Sequence, residues 1–300
     1  MAKAYEIADL NCQADAAEGV SKVLIARMKQ IADLVKPALE EDNIEGIHDL
    51  RVSIRRLRSA LRDFSLLLKK SSTKQVRKDL KKLARLLGSV RDVDVEIEIL
   101  KKLKQDADQK EIQKGVEKLI QEKSRFRSEA FKSVSGELID SVENLSLAIS
   151  ELVLAIPKAK ISFAELGGLV ARKNLSEFLV LSKSLFNPFD VEGLHELRIA
   201  GKRLRYSLEL FSPCANALSS FAESLAKMQG FLGDLHDCDV WTERLRDDLL
   251  KERVEKKVGI WLLSEFTKRR AKSYSKALRL WQEWENTSFA EKLQEVLYGL

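Results

Sequence analysis

Residues 43–64 read NIEGIHDLRVSIRRLRSALRDF, and residues 190–211 read DVEGLHELRIAGKRLRYSLELF. The two segments start 147 residues apart, and ten of their 22 positions are identical: Glu45/Glu192, Gly46/Gly193, His48/His195, Leu50/Leu197, Arg51/Arg198, Arg56/Arg203, Leu57/Leu204, Arg58/Arg205, Leu61/Leu208 and Phe64/Phe211. Two of the three histidines in the chain fall at the same place in both copies. A second block repeats further along, LLGSVRDVDV at 86–95 matching FLGDLHDCDV at 231–240, at an offset of 145 residues. An internal repeat of this length points to a duplicated architecture.

On a helix at about 100° per residue, Leu50, Ile54, Leu57, Leu61 and Phe64 share an arc of roughly 80°, which reads as a buried face. His48, Arg51, Arg55, Arg58 and Arg62 fill a neighbouring arc of similar width. In the second copy Leu197, Leu204, Leu208 and Phe211 face inward, with His195, Arg198, Lys202 and Arg205 alongside. Glu209 stands where the first copy has Arg62, so the second stripe is shorter. Arg56 and Arg203 project almost the other way. Like charges at these spacings repel. A linear array of cations about 5–6 Å apart suits a linear polyanion, with arginine forks gripping phosphate oxygens. Asn43 and Asp190 are the expected N-caps, and the partial positive charge of each helix start favours an anion near His48 and His195. A solvated face is the bland alternative. The histidines admit packing or hydrogen-bonding, phosphate contact, or metal ligation, the last disfavoured because it would need more ligands at close spacing.

Outward from these segments the pattern is helical throughout. Only four prolines and thirteen glycines occur in 300 residues, and apolar residues recur three and four apart. Helices are expected near 14–41, 44–70, 73–104, 108–155, 162–186, 191–212, 215–250 and 252–298. The fold class is therefore all-α, as two antiparallel four-helix-type bundles related by a pseudo-two-fold internal repeat. The expected organisation is a single domain over 1–300 in two halves, 1–156 and 161–300, with the joint near 156–161. Ser162 with Glu165 reads as a capping box opening the second half.

In the repeated block, Asp92/Asp94 and Asp237/Asp239 form two DxD pairs. Positions two apart on a helix diverge by about 200°, so one ion is not easily shared. One aspartate of each pair is expected to orient a stripe arginine and the other to cap or face solvent. Gly88 and Gly233 cost about 1 kcal/mol each mid-helix, which suits a close helix crossing. Additional contacts are expected from Arg56, Lys82, Arg91, Arg125, Arg203, Lys227, His236, Arg269 and Arg270. The last helices of the halves also carry Lys123, Arg127, Lys268, Lys272 and Lys276, which read as an ordinary solvated face unless packing brings them beside the stripe. Lys74, Lys78, Lys81 and Arg85 are helix-spaced too, but their second-half counterparts are not basic. They read as solubilising, with an extension of the site as the lesser alternative.

The bulk composition sets loose bounds. Fifty-two basic against 46 acidic residues leave a net charge of +6, a mild excess compatible with an anionic partner. Cys12, Cys214 and Cys238 form no CxxC pair, so neither a disulfide framework nor a zinc site is expected. That fits a reducing, intracellular compartment. The N-terminal segment does not read as a signal peptide, and no apolar run reaches the roughly 18 residues of a membrane span. Cytoplasmic placement and no membrane insertion are the expectations.

At IHDLRVSIRRLR with LLGSVRDVDV, and LHELRIAGKRLR with FLGDLHDCDV, the chain resembles the CHAD family, named for its conserved histidine α-helical domain. The likeness spans roughly 10–298. It implies a helical, pseudo-two-fold domain binding inorganic polyphosphate through a basic surface, often on polyphosphate granules. Some members carry a fused CYTH triphosphatase domain; a stand-alone module is expected here. The motif positions carried over are His48, Arg51, Arg55 and Arg58, with His195, Arg198, Lys202 and Arg205. Departures are Lys202 for arginine, His236 for arginine and Gly201 inside the second stripe. They lead to the expectation that the first ladder grips harder.

Three functions are open at this point. Non-catalytic polyphosphate binding leads, with no cofactor and no metal. Nucleic-acid binding is the alternative, although Tyr206 is the only aromatic near either stripe on which a base might stack. A polyphosphate-processing enzyme is the third, without a P-loop or a nucleophile–base pair to support it.

Overall fold

The computed structural model describes Ile7 and residues 9–300. Residues 1–6 and 8, part of the segment read as lacking a signal peptide, lie outside the described residues. Regular structure among the described residues is helical, with one isolated antiparallel bridge between Asp15 and Ser162. The chain divides into two compact units, Met1–Phe163 and Ala164–Leu300.

The first unit holds α1 (Ala16–Asp33), α2 (Val35–Ala38), α3 (Ile44–Asp63), α4 (Lys70–Asp106) and α5 (Lys110–Leu154). α1 is capped by Asp15, whose side chain accepts from the Ala17 amide. The helix expected over 14–41 breaks at Leu34, and the short α2, which contains Pro37, follows. The helix expected over 44–70 ends at Asp63, and residues 64–66 form a 3-10 turn. α4 and α5 pack along their length, and α3 packs on α4 and α1. The face read as buried is buried: Leu50, Ile54, Leu57, Leu61 and Phe64 are at most 1% exposed. Each such side chain contributes about 1.5–3 kcal/mol, so this arc holds α3 in place and fixes where its polar side points.

The second unit holds α6 (Phe163–Leu181), α7 (Val191–Phe211), α8 (Leu218–Leu250), α9 (Lys256–Asn286) and α10 (Phe289–Tyr298). α7 packs on α8 and α8 on α9. Leu197, Leu204, Leu208 and Phe211 are fully buried. The helix expected over 252–298 is interrupted at Thr287–Ser288, where Ser288 adopts φ 53°. α10 then folds back on α8 and α9.

Cys238 is a free thiol in α8, buried and pushed up to about 12 by that burial. No helix among the described residues is long and apolar enough to cross a membrane.

Candidate anion-binding site

Both stripe helices start as their sequences predict. The Asn43 side chain accepts from the Gly46 amide at 3.0 Å, and Asp190 accepts from the Gly193 amide at 2.9 Å. These caps set the first turn from which His48 and His195 project.

In the first unit the α3 stripe meets α4. Arg51 reaches across to α4, pairing Nη2 with Asp92 at 3.3 Å. Its Nη1 lies over Gly88, 2.9 Å from where a Cβ would stand. The glycine therefore makes room for an arginine tip rather than for a crossing helix backbone. Asp92 remains 71% exposed in its side chain, so the pair is worth at most about 1 kcal/mol. Arg51 Nη1 is buried and finds no hydrogen-bond partner among the described residues. Burial disfavours the charge on Arg51, Asp92 opposes that, and Arg55 and Arg91 add repulsion. His48 is held below its ordinary value by burial and by Arg91, against Glu45 and Asp49. His48, Arg51, Arg55 and Arg91 thus form one cluster. Arg58 is exposed further along, whereas Arg62 turns back to Asp63 at 2.5 Å and to Ser59.

The second unit builds a related cluster from α7 and α8. Nδ1 of His195 stands 3.1 Å from Nδ1 of His236, with ring centroids 4.3 Å apart. His236 is pushed down to about 4 by burial, then by Arg198 and His195, with Lys202 adding and Asp239 opposing. His195 is lowered by burial, Arg198 and Lys202, against Glu196. Arg198 passes Gly233 more loosely, with Nε 3.8 Å from a Cβ position. Arg205, the counterpart of exposed Arg58, is buried; it pairs with Glu209 at 3.1 Å and lies over the Tyr206 ring. Glu209 therefore removes one cation by replacement and a second by pairing.

The remaining expected contacts scatter. Arg56 is buried, and Arg203 pairs with Glu177 at 3.5 Å on the far side of α7. Lys82 pairs with Glu137 at 3.0 Å on α5. Arg125 and Lys227 are exposed, and Arg269 is half-buried on α9. Lys123 and Lys268 pair with Glu96 and Glu265. Lys272 and Lys276 are exposed.

The DxD block divides differently from the expectation. Asp92 does orient a stripe arginine. The second aspartate neither caps nor faces solvent: Asp94, 1% exposed in its side chain, holds Arg127 of α5 at 2.5 Å. In the second unit Asp239 holds Arg270 of α9 at 2.5 Å. Each arginine also reaches the loop before its stripe helix. Arg127 Nη1 lies 4.0 Å from Glu41, and Arg270 donates to the Pro188 carbonyl at 2.8 Å. Sequence reading missed this role for Arg127 and Arg270. Its available signal was that each follows the second aspartate by 33 and 31 residues in the two copies.

Glu45, His48 and Asp49 each offer a ligand atom within 4.8 Å of the others, a grouping that the sequence reading did not single out. They share a turn of α3 with the cations of the cluster.

The sequence matches the family model of the CHAD domain over residues 22–246. The chain belongs to the CHAD domain family. Both stripes and both DxD blocks lie inside the CHAD match. The crystal structure of the CHAD domain from the plant Ricinus communis is similar at TM-score 0.70 and 20% identity, over 98% of this chain and 96% of that one. PptA from Streptomyces chartreusis is similar at TM-score 0.70 and 13% identity, over 90% of this chain and 100% of that one. These likenesses establish the CHAD fold. No curated protein matches the sequence.

Proposed function

We propose that this chain binds inorganic polyphosphate through two cation clusters, one in each unit, without cleaving or transferring it. The observation that carries this reading is the convergence, twice, of stripe cations with a basic residue from the next helix. His48, Arg51 and Arg55 meet Arg91; His195, Arg198 and Lys202 meet His236. Gathering like charges is unfavourable in the empty protein, and a chain of linked anions offsets that repulsion while releasing its counterions. Arg51 sharpens the point: half of its guanidinium is buried over Gly88 without an acceptor, and a neighbouring anion lowers the cost of that buried charge.

The two units are structural copies of one ancestral half within a single domain, joined near 156–161. Association with polyphosphate granules in the cytoplasm follows from the same reading. Nucleic acid is the weaker ligand, because Tyr206 is buried beneath Arg205 and offers no face for base stacking.

The test is to titrate long-chain polyphosphate into the wild type and into R51A/R55A/R198A/K202A at fixed ionic strength. The variant is expected to bind at least about tenfold more weakly; equal affinity sinks the reading. RNA outcompeting polyphosphate reverses the choice of ligand. Phosphate release above a protein-free control, with magnesium or manganese supplied, shows an enzyme instead.

A further inference from the structure

The exposed side of α4 carries cations that the cluster around Arg51 does not use. Lys74, Lys78, Lys81 and Arg85 follow spacings of 4, 3 and 4 residues, which keeps them within an arc of roughly 60°. All four are exposed, and none makes an ion pair or hydrogen bond among the described residues. A solvated helix face of this kind ordinarily mixes signs to relieve repulsion. Here the arc holds no acid until Asp92.

The arc leads to the cluster. Continued toward the C-terminus it passes Gly88 and Asp92, the two residues that receive the Arg51 guanidinium. α3 and α4 are joined by residues 64–69 and pack on each other, so they form an antiparallel hairpin. Stepping from Arg51 through Arg55 and Arg58 on α3 therefore runs in the same direction as stepping from Asp92 through Arg85, Lys81, Lys78 and Lys74 on α4. From Asp92 to Lys74 the helix rises ~27 Å. The corresponding face of α8 in the second unit has nothing comparable. At the block offset of 145 residues the counterparts are Ser219, Glu223, Ala226 and Gly230.

We infer that the exposed face of α4 is an extension of the anion track in the first unit, along which a long polyphosphate chain continues from the Arg51 cluster toward Lys74. This rests on the polyphosphate reading above and adds a chain-length preference to it. A short polyphosphate is held by the cluster alone. A long one gains the α4 cations as well, and only at this end of the repeat.

The experiment compares tripolyphosphate with long-chain polyphosphate on three full-length proteins: wild type, K74Q/K78Q/K81Q/R85Q, and K110Q/K114Q/K118Q/K132Q. The last removes the same charge from exposed positions of α5. Glutamine keeps helix propensity close to that of lysine and arginine, and unchanged thermal unfolding verifies the fold. The α4 variant is expected to lose at least about tenfold in affinity for the long chain and to keep its affinity for tripolyphosphate. Its log–log salt slope for the long chain should fall by up to about 3, the counterion release of four phosphate contacts. Equal loss in the α4 and α5 variants, or none in the α4 variant, overturns the track while leaving the cluster standing. A wild type that binds neither ligand overturns both.

Discussion

Gly88 and Gly233 hold the same place in the repeat, yet an added methyl meets different neighbours. At Gly88 it would stand 2.9 Å from Arg51 Nη1, and at Gly233 3.8 Å from Arg198 Nε. Each Gly→Ala change should stabilise its helix by up to about 1 kcal/mol. G88A must also push the Arg51 tip off its seat, so we expect it to raise the melting temperature while weakening polyphosphate binding. G233A should raise the melting temperature and leave affinity unchanged. Thermal unfolding and titration on the same preparations check the pair, and equal binding effects would remove the special role of Arg51. The facing histidines carry a pH signature. His236 sits near 4 in the fold against an ordinary 6.5, so between those values the unfolded chain takes up a proton that the folded chain refuses. Stability from this group is fully present above 6.5 and is lost as pH falls toward 4, by about 1–2 kcal/mol once solvent screening is allowed for. A bound polyanion has the opposite effect. Its charge favours the protonated ring, so affinity should rise between pH 7.5 and 5.5. H236Q is expected to flatten both trends, measured by urea unfolding and by titration across that range.

Among the elements, the stripe helices were the most legible. Their buried arcs and N-caps follow from spacing along one helix, where 3.6 residues per turn leaves little freedom. Helix breaks at Leu34 and Ser288 were less legible, because a short interruption hardly disturbs the apolar period on either side. The clamps were the least legible: Asp94 meets Arg127, and Asp239 meets Arg270, through helix pairing that no local pattern encodes and that only the matching spacing in the two copies hints at. They also explain what fixes the stripe. Each arginine ties the DxD helix to the loop before the N-cap, through Glu41 or the Pro188 carbonyl. Asp94 is almost wholly buried. Removing Arg127 alone should therefore cost about 3–5 kcal/mol, whereas D94L/R127M should recover much of that loss, since apolar replacement of both partners is often neutral. Chemical denaturation of the two variants checks this; a double variant no better than the single one argues that the clamp is replaceable by nothing apolar.

At the scale of the whole molecule the two copies of the repeated sequence are unequal. The first unit keeps Arg58 exposed and adds the α4 cations, while in the second Glu209 occupies Arg205. R51A/R55A should consequently weaken long-chain binding more than R198A/K202A, by several-fold at low salt, where screening is least. The reverse order would mean that the histidine pair, not the arginine ladder, sets affinity. Asp92 gives the larger site another property. It is an exposed carboxylate resting on Arg51, and on the proposed reading an arriving phosphate would take its place. The anion displaced is then part of the chain and cannot diffuse away. On that reading it would reclaim the arginine whenever a phosphate lets go, so a long ligand would be released one phosphate at a time and the protein would creep along a polymer that it holds firmly as a whole.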